Sequence, residues 1–187
     1  LRLWALVPKT KVPGQPAARR CVLLTRDQLD GPLAVAANGY AMAIVPATWM
    51  DDRYPNEDVL IDIDCIKAAK GQPILIDLEQ HTSRVGEVQW DLADAATYPN
   101  WRAEIPTQVY HGRRVPIYLS PETARNLALA MGLGDILPAV ATVAEGDAAV
   151  LVVGSDAMGM IMPLHTFGQD FTGLPERLTL LREPPTP

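Results

Sequence analysis

The residues of this chain that could perform chemistry are few and far apart. His81, His111 and His165 are separated by 30 and 54 residues, so none shares a helical face with another candidate metal ligand. A zinc site needs clustered ligands, and none is predicted. Cys21 and Cys65 lie 44 residues apart and form no CxxC pair. Isolated cysteines of this kind are typical of buried thiols in a cytoplasmic protein.

Nucleophile and phosphate-binding motifs are missing from the sequence as well. Residues 154–159, Gly-Ser-Asp-Ala-Met-Gly, form no GxSxG elbow, because the second glycine is too far from the serine. Neither a GxxxxGK motif followed by Ser or Thr nor a GxGxxG motif occurs. Asp62 and Asp64 open a predicted helix, where acidic side chains interact favourably with the helix dipole. We therefore predict no catalytic residue, no metal and no cofactor.

Composition narrows the class of protein. The 187 residues fit one to two domains. Sixteen Lys and Arg against 22 Asp and Glu give a net charge of −6, which disfavours coating of nucleic acid by bulk electrostatics. Seventeen prolines and 13 glycines favour many short elements in a sheet-rich fold. No apolar run is long enough for a transmembrane helix, and residues 1–8 lack the pattern of a secretory signal.

Short strands and one short helix are predicted in the first half of the chain. Prolines interrupt residues 1–20, so an irregular lead-in is expected there. The predicted strands are residues 21–25, 33–37, 40–46, 59–61, 74–78 and 85–90. Asn38-Gly39 is the signal for a tight hairpin turn between two of them. Asp62 or Asp64 caps the helix that follows residue 61, and Gly71 ends it.

The second half repeats this plan. A strand at residues 115–119 precedes a helix that Ser120 caps, that Pro121 begins and that Gly132 ends. Strands are then predicted at residues 137–143, 148–153 and 158–162. The sequence thus indicates an α+β fold in which a unit of one strand, one short helix and about three strands occurs twice. Residues 168–187 are predicted to be an extended, poorly packed tail.

Four segments, taken in order, resemble the bacterial DNA polymerase sliding clamp family, the beta subunit of the replicase. The segment Leu33 to Ala43 is similar to the family's hairpin L-T-L-V-A-T-D-G-H-R-L-A, and Val59 to Gly71 is similar to its strand followed by a lysine-bearing helix. The segment Tyr98 to Pro106 is similar to F-P-D-Y-x-x-V-I-P, and Gly159 to Leu164 is similar to the terminal V-V-M-P-M strand. The resemblance covers about residues 18–167 and about half of a clamp subunit. The hairpin has Ala37, Asn38, Tyr40, Ala41 and Met42 in place of the family's Thr, Asp, His, Arg and Leu, and Leu164 and His165 replace the final Met and Arg.

The resemblance implies a clamp-like fold with antiparallel sheets and with the helices on one face. It divides the chain into a lead-in (1–20), a unit like the clamp's middle domain (21–106), half a unit like its last domain (107–167) and a tail (168–187). The implied function is that of a DNA replication processivity factor, which encircles double-stranded DNA. Its direct contacts with the DNA are weak, and the closed ring keeps it on the duplex. The implied DNA contacts are Lys67, Lys70 and Arg125 on the helices and Arg113 and Arg114 in a loop. Arg19 and Arg20 are alternative contacts.

The family's second site is an apolar pocket for short Gln- and Leu-containing peptides of DNA polymerases and repair proteins. The residues that match it are Ala37, Tyr40, Met42, Met160, Met162, Pro163 and Leu164. A competing interpretation makes Met158, Met160 and Met162 ordinary core residues.

A ring needs six domain-sized units, so several copies must assemble as a homo-oligomer or no ring forms. Two alternative functions remain. One is a clamp-like adaptor or decoy that forms no ring, and the other is a small enzyme whose active site the sequence does not reveal. A further hypothesis is that residues 176–181 of the tail occupy a pocket.

Overall fold

The computed structural model describes residues 2–8, 17–27, 31–50, 57–105, 120–133, 150–153 and 157–162. The strands within these ranges are β1 (Cys21–Asp27), β2 (Gly31–Ala37), β3 (Ala41–Pro46), β4 (Val59–Asp62), β5 (Leu75–Asp77), β6 (Thr82–Val85), β7 (Val88–Asp91), β8 (Val150–Val153) and β9 (Met158–Ile161). The helices are α1 (Ile63–Ala69) and α2 (Pro121–Met131). Four 3₁₀ turns lie at Leu3–Ala5, Ala17–Arg20, Ala95–Thr97 and Trp101–Glu104.

All described strands belong to two antiparallel sheets. The larger sheet has six strands in the order β4-β1-β2-β3-β9-β8, and the smaller one has the order β5-β6-β7. The predicted α+β class with antiparallel sheets is confirmed. Strands β8 and β9 follow the predicted unit boundary after residue 106, yet they share a sheet with β1 to β4. The boundary itself lies outside the described residues and stays a prediction.

The two faces of the six-stranded sheet are covered by different elements. Successive side chains of a strand point to opposite faces, and along β3 Ala41 and Ala43 point one way while Met42 points the other. One face packs against both helices. The sheet contributes Val22, Ala34, Ala36, Ala41, Ala43 and Ile161 to this buried cluster, α1 contributes Ile63, and α2 contributes Leu127, Ala130 and Met131. The opposite face packs against Trp101.

Local hydrogen bonds form the predicted hairpin and helix ends. The Asn38 side chain accepts hydrogen bonds from the backbone N–H groups of Tyr40 and Ala41 at 2.9 and 2.8 Å. Gly39 has a φ of 88°, which a residue with a side chain rarely adopts. Asp62, one of the two predicted caps, accepts a hydrogen bond from the backbone of Asp64 at the start of α1. The predicted hairpin turn and α1 are therefore confirmed.

The second helix also has the predicted limits. Ser120 Oγ accepts a hydrogen bond from Thr123 N at 3.4 Å, and Pro121 begins the helix. Gly132, in the left-handed conformation, ends it. Leu127 and Met131 are buried against the sheet, as their spacing predicts. Helix α2 is thus specified by residues at its two ends and by one apolar face.

One local prediction needs correction. The sequence indicated one strand at residues 85–90, whereas a turn that contains Gly86 separates β6 from β7 and pairs Val85 with Val88. Of the predicted lead-in, the structure describes residues 2–8 and 17–20, where Leu6 and Val7 bury their side chains in the cluster beneath the helices. The predicted strands at 115–119 and 137–143 and the tail at 168–187 lie outside the described residues.

Candidate functional site

The structure brings the hairpin and the closing strand together. Strand β3 pairs with β9, and Met42 lies opposite Met160. Beyond the paired region, Met162 N donates a hydrogen bond to Tyr40 O at 2.7 Å. On the hairpin's other side, Ala37 lies opposite Met42. Residues from distant parts of the sequence therefore form one row, hereafter the apolar strip: Ala37, Tyr40, Met42, Met160 and Met162.

The apolar strip is buried at one end and exposed at the other. Met42 and Met160 keep only 6% and 5% of their surface exposed, whereas Met162 is 38% and Tyr40 67% exposed. The interpretation of the methionines as core residues thus fits Met160 but not Met162. Pro163 and Leu164, the other predicted pocket residues, lie outside the described part of the chain. Whether the strip binds a peptide stays a prediction.

An irregular segment, residues 95–105, hereafter the covering segment, packs on the same face of the six-stranded sheet as Met42 and Met160. Its Trp101 is buried in the same cluster as Met42 and Met160. Tyr98 Oη donates a hydrogen bond to Val35 O of β2 at 3.1 Å. The resemblance had marked this stretch only as a family motif, and its position against the sheet was not predicted. Aromatic residues among turn-forming residues were the sole signal in the sequence.

A polar contact fixes the far end of the covering segment to β1. Arg102 Nη2 donates hydrogen bonds to Arg26 O at 3.1 Å and to Thr25 Oγ1 at 3.3 Å. Thr25 Oγ1 in turn donates to Asp58 Oδ1 at 2.6 Å. The Arg102 guanidinium carbon also lies 4.2 Å from the centre of the Trp101 ring, within the range of a cation–π interaction. Arg102 therefore holds both the segment and its tryptophan in place.

The titratable groups near the sheet favour packing over catalysis. Burial raises the pKa of the Cys21 thiol to about 12, with a smaller contribution from Asp62. Burial also raises the pKa of Cys65 and the pKa of the Tyr98 hydroxyl. A thiol becomes a good nucleophile when its pKa is lowered, so both cysteines are protonated and inert at neutral pH.

Helices α1 and α2 carry balanced charges. Helices α1 and α2 with their flanking residues contribute three acidic residues, Asp62, Asp64 and Glu122, and three basic residues, Lys67, Lys70 and Arg125. The charges also pair, since Asp64 lies 2.9 Å from Arg20 Nη2 and 3.7 Å from Lys67 Nζ. The hydrogen bond from Arg20 is the main reason that the pKa of Asp64 lies below its ordinary value.

These contacts separate the predicted DNA-binding residues into groups. Lys70, Arg125 and Arg19 are exposed. Lys67 and Arg20 are already engaged by Asp64, and the Arg20 side chain is only 13% exposed. Arg20 therefore serves first as a structural ion pair between the turn before β1 and helix α1. Arg113 and Arg114 lie outside the described residues.

Helix α2 approaches the closing strand very closely. A Cβ atom added to Gly159 of β9 would lie 2.5 Å from Met131 Sδ and 2.8 Å from Leu127 Cδ1. Any larger residue at this position would require the side chains of Met131 and Leu127 to move, because real Cβ atoms do not come so near to other heavy atoms. The glycine within a predicted strand was a signal of close packing, and the sequence alone did not reveal its partner. Gly159 thereby fixes β9, and Met160 beside it, relative to α2.

The described residues contain neither a metal-binding cluster nor a helix suited to cross a membrane. No group of three or more His, Cys, Asp and Glu side chains is placed there to hold a metal ion. Among the helices within the same ranges, none combines the length and the apolar character that a membrane-spanning helix requires.

Comparison with known proteins defines the fold. No protein-family model matches the chain, and no curated protein sequence matches it. The crystal structure of the DNA polymerase III subunit beta from Pseudomonas aeruginosa is similar with a TM-score of 0.56 and 13% identity, over 87% of this chain and 62% of that one. A DNA polymerase sliding clamp structure from Pseudomonas aeruginosa gives a TM-score of 0.54 and 14% identity, over 88% of this chain and 64% of that one.

The fold is therefore that of a sliding clamp. The predicted clamp-like fold, with antiparallel sheets and helices packed on one face, is confirmed by these structures at a level of identity that speaks for the fold alone. The chain spans less than two thirds of the length of both clamps.

Proposed function

We propose that this chain is a sliding-clamp-like processivity factor that tethers a DNA polymerase or another DNA-processing protein to double-stranded DNA, and that it catalyses no reaction. The observation that carries the proposal is the pairing of β3 with β9, which gathers the apolar strip on a clamp-like fold. Two buried, protonated cysteines fit a role in the reducing cytoplasm.

The exposed end of the strip is suited to a short apolar peptide. Tyr40 offers an aromatic surface with a polar tip, and Met162 offers an unbranched, adaptable side chain. A few apolar anchors supply most of the affinity in such peptide sites. A partner motif with glutamine and leucine, presented by a polymerase or a repair protein, meets these requirements.

Peptide binding tests this part of the proposal. A fluorescent Gln- and Leu-containing peptide is titrated with the parent protein, with Tyr40→Ala and with Met162→Ala. We expect each variant to weaken binding roughly 5-fold to 30-fold, which corresponds to about 1–2 kcal/mol for the loss of an anchor. Leu75→Ala and Val88→Ala, at exposed apolar residues of the smaller sheet, are matched controls and leave the affinity unchanged. Equal affinities for all five proteins, or no binding by the parent, would refute the peptide site.

The DNA part of the proposal rests on topology rather than on charge. Helices α1 and α2 with their flanking residues carry three acidic and three basic residues, so their own electrostatic attraction for phosphate is weak. A closed ring keeps its hold on DNA without high affinity. Because a full ring needs six domain-sized units, we infer that several copies of this chain assemble around the duplex.

Retention on circular DNA tests this topology. The solution mass is measured with and without DNA, and retention on closed circular DNA is compared with retention on the same DNA after linearisation. We expect an oligomer that stays on the circle and slides off the linear form. A monomer that is retained on neither form would refute the ring and leave the peptide site standing.

A clamp-like adaptor or decoy is the second candidate function. It would keep the apolar strip and bind partner peptides without encircling DNA. The balanced charges of α1 and α2 and the pairing of Lys67 and Arg20 with Asp64 favour it. A monomer that binds the peptide would support the adaptor, whereas an oligomer retained on circular DNA would exclude it.

A further inference from the structure

We propose that Met162 is a reversible oxidation site, at which a hydroperoxide converts the thioether to a sulfoxide and thereby switches off peptide binding by the apolar strip. This inference rests on the proposed peptide-binding function. The chain has six methionines, all of them in the described residues: Met42, Met50, Met131, Met158, Met160 and Met162. Their exposure and their positions separate Met162 from the other five.

The exposure of each methionine decides whether a dissolved oxidant can reach its sulfur. Met42, Met131 and Met160 are buried, and Met158 is half-buried. Met162 is 38% exposed, and Met50 is 83% exposed. Because the sulfur must contact the oxidant, Met162 and Met50 are the two methionines that react first in the folded protein.

The two exposed methionines differ in where they lie. Tyr40 directly precedes β3, and the hydrogen bond from Met162 N to Tyr40 O places Met162 beside it at the exposed end of the apolar strip. Met50 lies four residues beyond Pro46, at the other end of β3. An oxidant therefore meets one methionine on the strip and one away from it.

The oxidation step balances with hydrogen peroxide as the oxidant. A lone pair of the Met162 sulfur attacks one peroxide oxygen, so that an S–O bond forms and the O–O bond breaks. The other oxygen leaves as hydroxide and takes the proton of the transferred oxygen to become water. The sulfur loses the two electrons that the peroxide gains. A methionine sulfoxide reductase reverses the step with two electrons from thiols.

The cysteines of the chain do not compete for the oxidant. Cys21 and Cys65, the two cysteines of the sequence, are buried. Burial raises the pKa of both thiols, and the thiolate is the form that a peroxide oxidises. At neutral pH, a peroxide therefore reacts with the exposed methionines before it reacts with either cysteine.

A sulfoxide at Met162 changes the strip and leaves the sheet in place. Its oxygen accepts hydrogen bonds from water, and an apolar peptide side chain that covers it removes this water without replacing the lost bonds. The hydrogen bond from Met162 N to Tyr40 O uses backbone atoms alone, and Met162 lies beyond Ile161, the last residue of β9. Oxidation of Met162 therefore lowers the affinity for peptide while the protein stays folded.

Limited treatment with hydrogen peroxide tests the switch. Peptide mapping by mass spectrometry is expected to find the sulfoxide at Met50 and Met162 before it appears at Met42 and Met160. We expect the oxidised parent to bind the Gln- and Leu-containing peptide at least about 5-fold more weakly, the cost of burying an uncompensated polar group. Its melting temperature should not change, and a methionine sulfoxide reductase should restore the affinity. Saturating peptide should slow oxidation at Met162 and not at Met50.

Two leucine variants assign the effect to one sulfur atom. In Met162→Leu, the affinities before and after peroxide treatment should be equal, because leucine has no sulfur to oxidise. Met50→Leu is the matched control, and it should lose affinity after treatment as the parent does. A loss in Met162→Leu as large as that in the parent would overturn the proposal. A Met162 that stays reduced while Met50 is oxidised would overturn it as well.

The outcome for the untreated parent separates this proposal from the proposed function. If the untreated parent binds no peptide, the peptide site is refuted, and the switch with it. If the untreated parent binds the peptide and keeps its affinity once Met162 is oxidised, the switch alone is refuted.

Discussion

The six-stranded sheet is covered on one face by two regular helices and on the other by an irregular segment. On the helix face, small side chains such as Ala34 and Ala43 let α2 come close, and Gly159 allows contact with Met131. On the opposite face, Tyr98 and Arg102 bind to strand carbonyls far away in the sequence. Tight apolar packing makes the first face a permanent core. The second face also buries apolar residues, among them Trp101, and adds these long-range hydrogen bonds to irregular backbone.

The largest expected effect lies on the helix face. Leu127→Ala removes a fully buried side chain beneath α2 and leaves a cavity, so the free energy of unfolding should fall by about 2–5 kcal/mol. The matched control is Leu75→Ala at an exposed position, where the change should stay within about 0.5 kcal/mol. Urea denaturation measures both. A loss at Leu127 as small as that at Leu75 would mean that the helix face is not a tight core.

A smaller effect is expected on the opposite face. Tyr98→Phe removes the hydroxyl that bonds to Val35 O and keeps the ring, so the free energy of unfolding should fall by about 0.5–1.5 kcal/mol. Tyr40→Phe, at an exposed tyrosine, is the control and should change nothing measurable. Hydrogen exchange in Tyr98→Phe should accelerate in residues 95–105 and not in α2. Equal acceleration in both regions would erase the distinction between the two faces.

The smallest effect concerns the ion pairs beside α1. The pKa of Asp64 is held below its ordinary value of 3.8, mainly by the hydrogen bond from Arg20. Its stabilising contribution is therefore complete above pH 3.8 and is lost as the pH falls through the lowered pKa. The difference in the free energy of unfolding between the parent and Asp64→Asn should shrink with acidification and with added salt. Glu79→Gln is the exposed control; a pH-independent difference would contradict the ion pair's role.

The sequence predicted those parts of the fold that depend on neighbours in the chain. The hairpin at Asn38-Gly39 and the limits of α2 were confirmed because their hydrogen bonds join residues two or three positions apart. The strand at residues 85–90 was wrong because a turn at Gly86 breaks it, and alternating apolar residues alone do not show such a turn. The apolar strip was assembled from a family resemblance, and its division into a buried and an exposed end was not foreseen.

The chain by itself determined most of its described strands, its two helix caps and the absence of catalytic motifs, since each follows from residue types within a few positions. Only the tertiary structure decided that Trp101 joins the apolar cluster that also holds Met160, that Arg102 holds a strand carbonyl 76 residues away and that Asp64 engages Lys67 and Arg20. Those contacts depend on which strands pair and in which register. Register is a property of the whole folded sheet, and no short stretch of sequence encodes it.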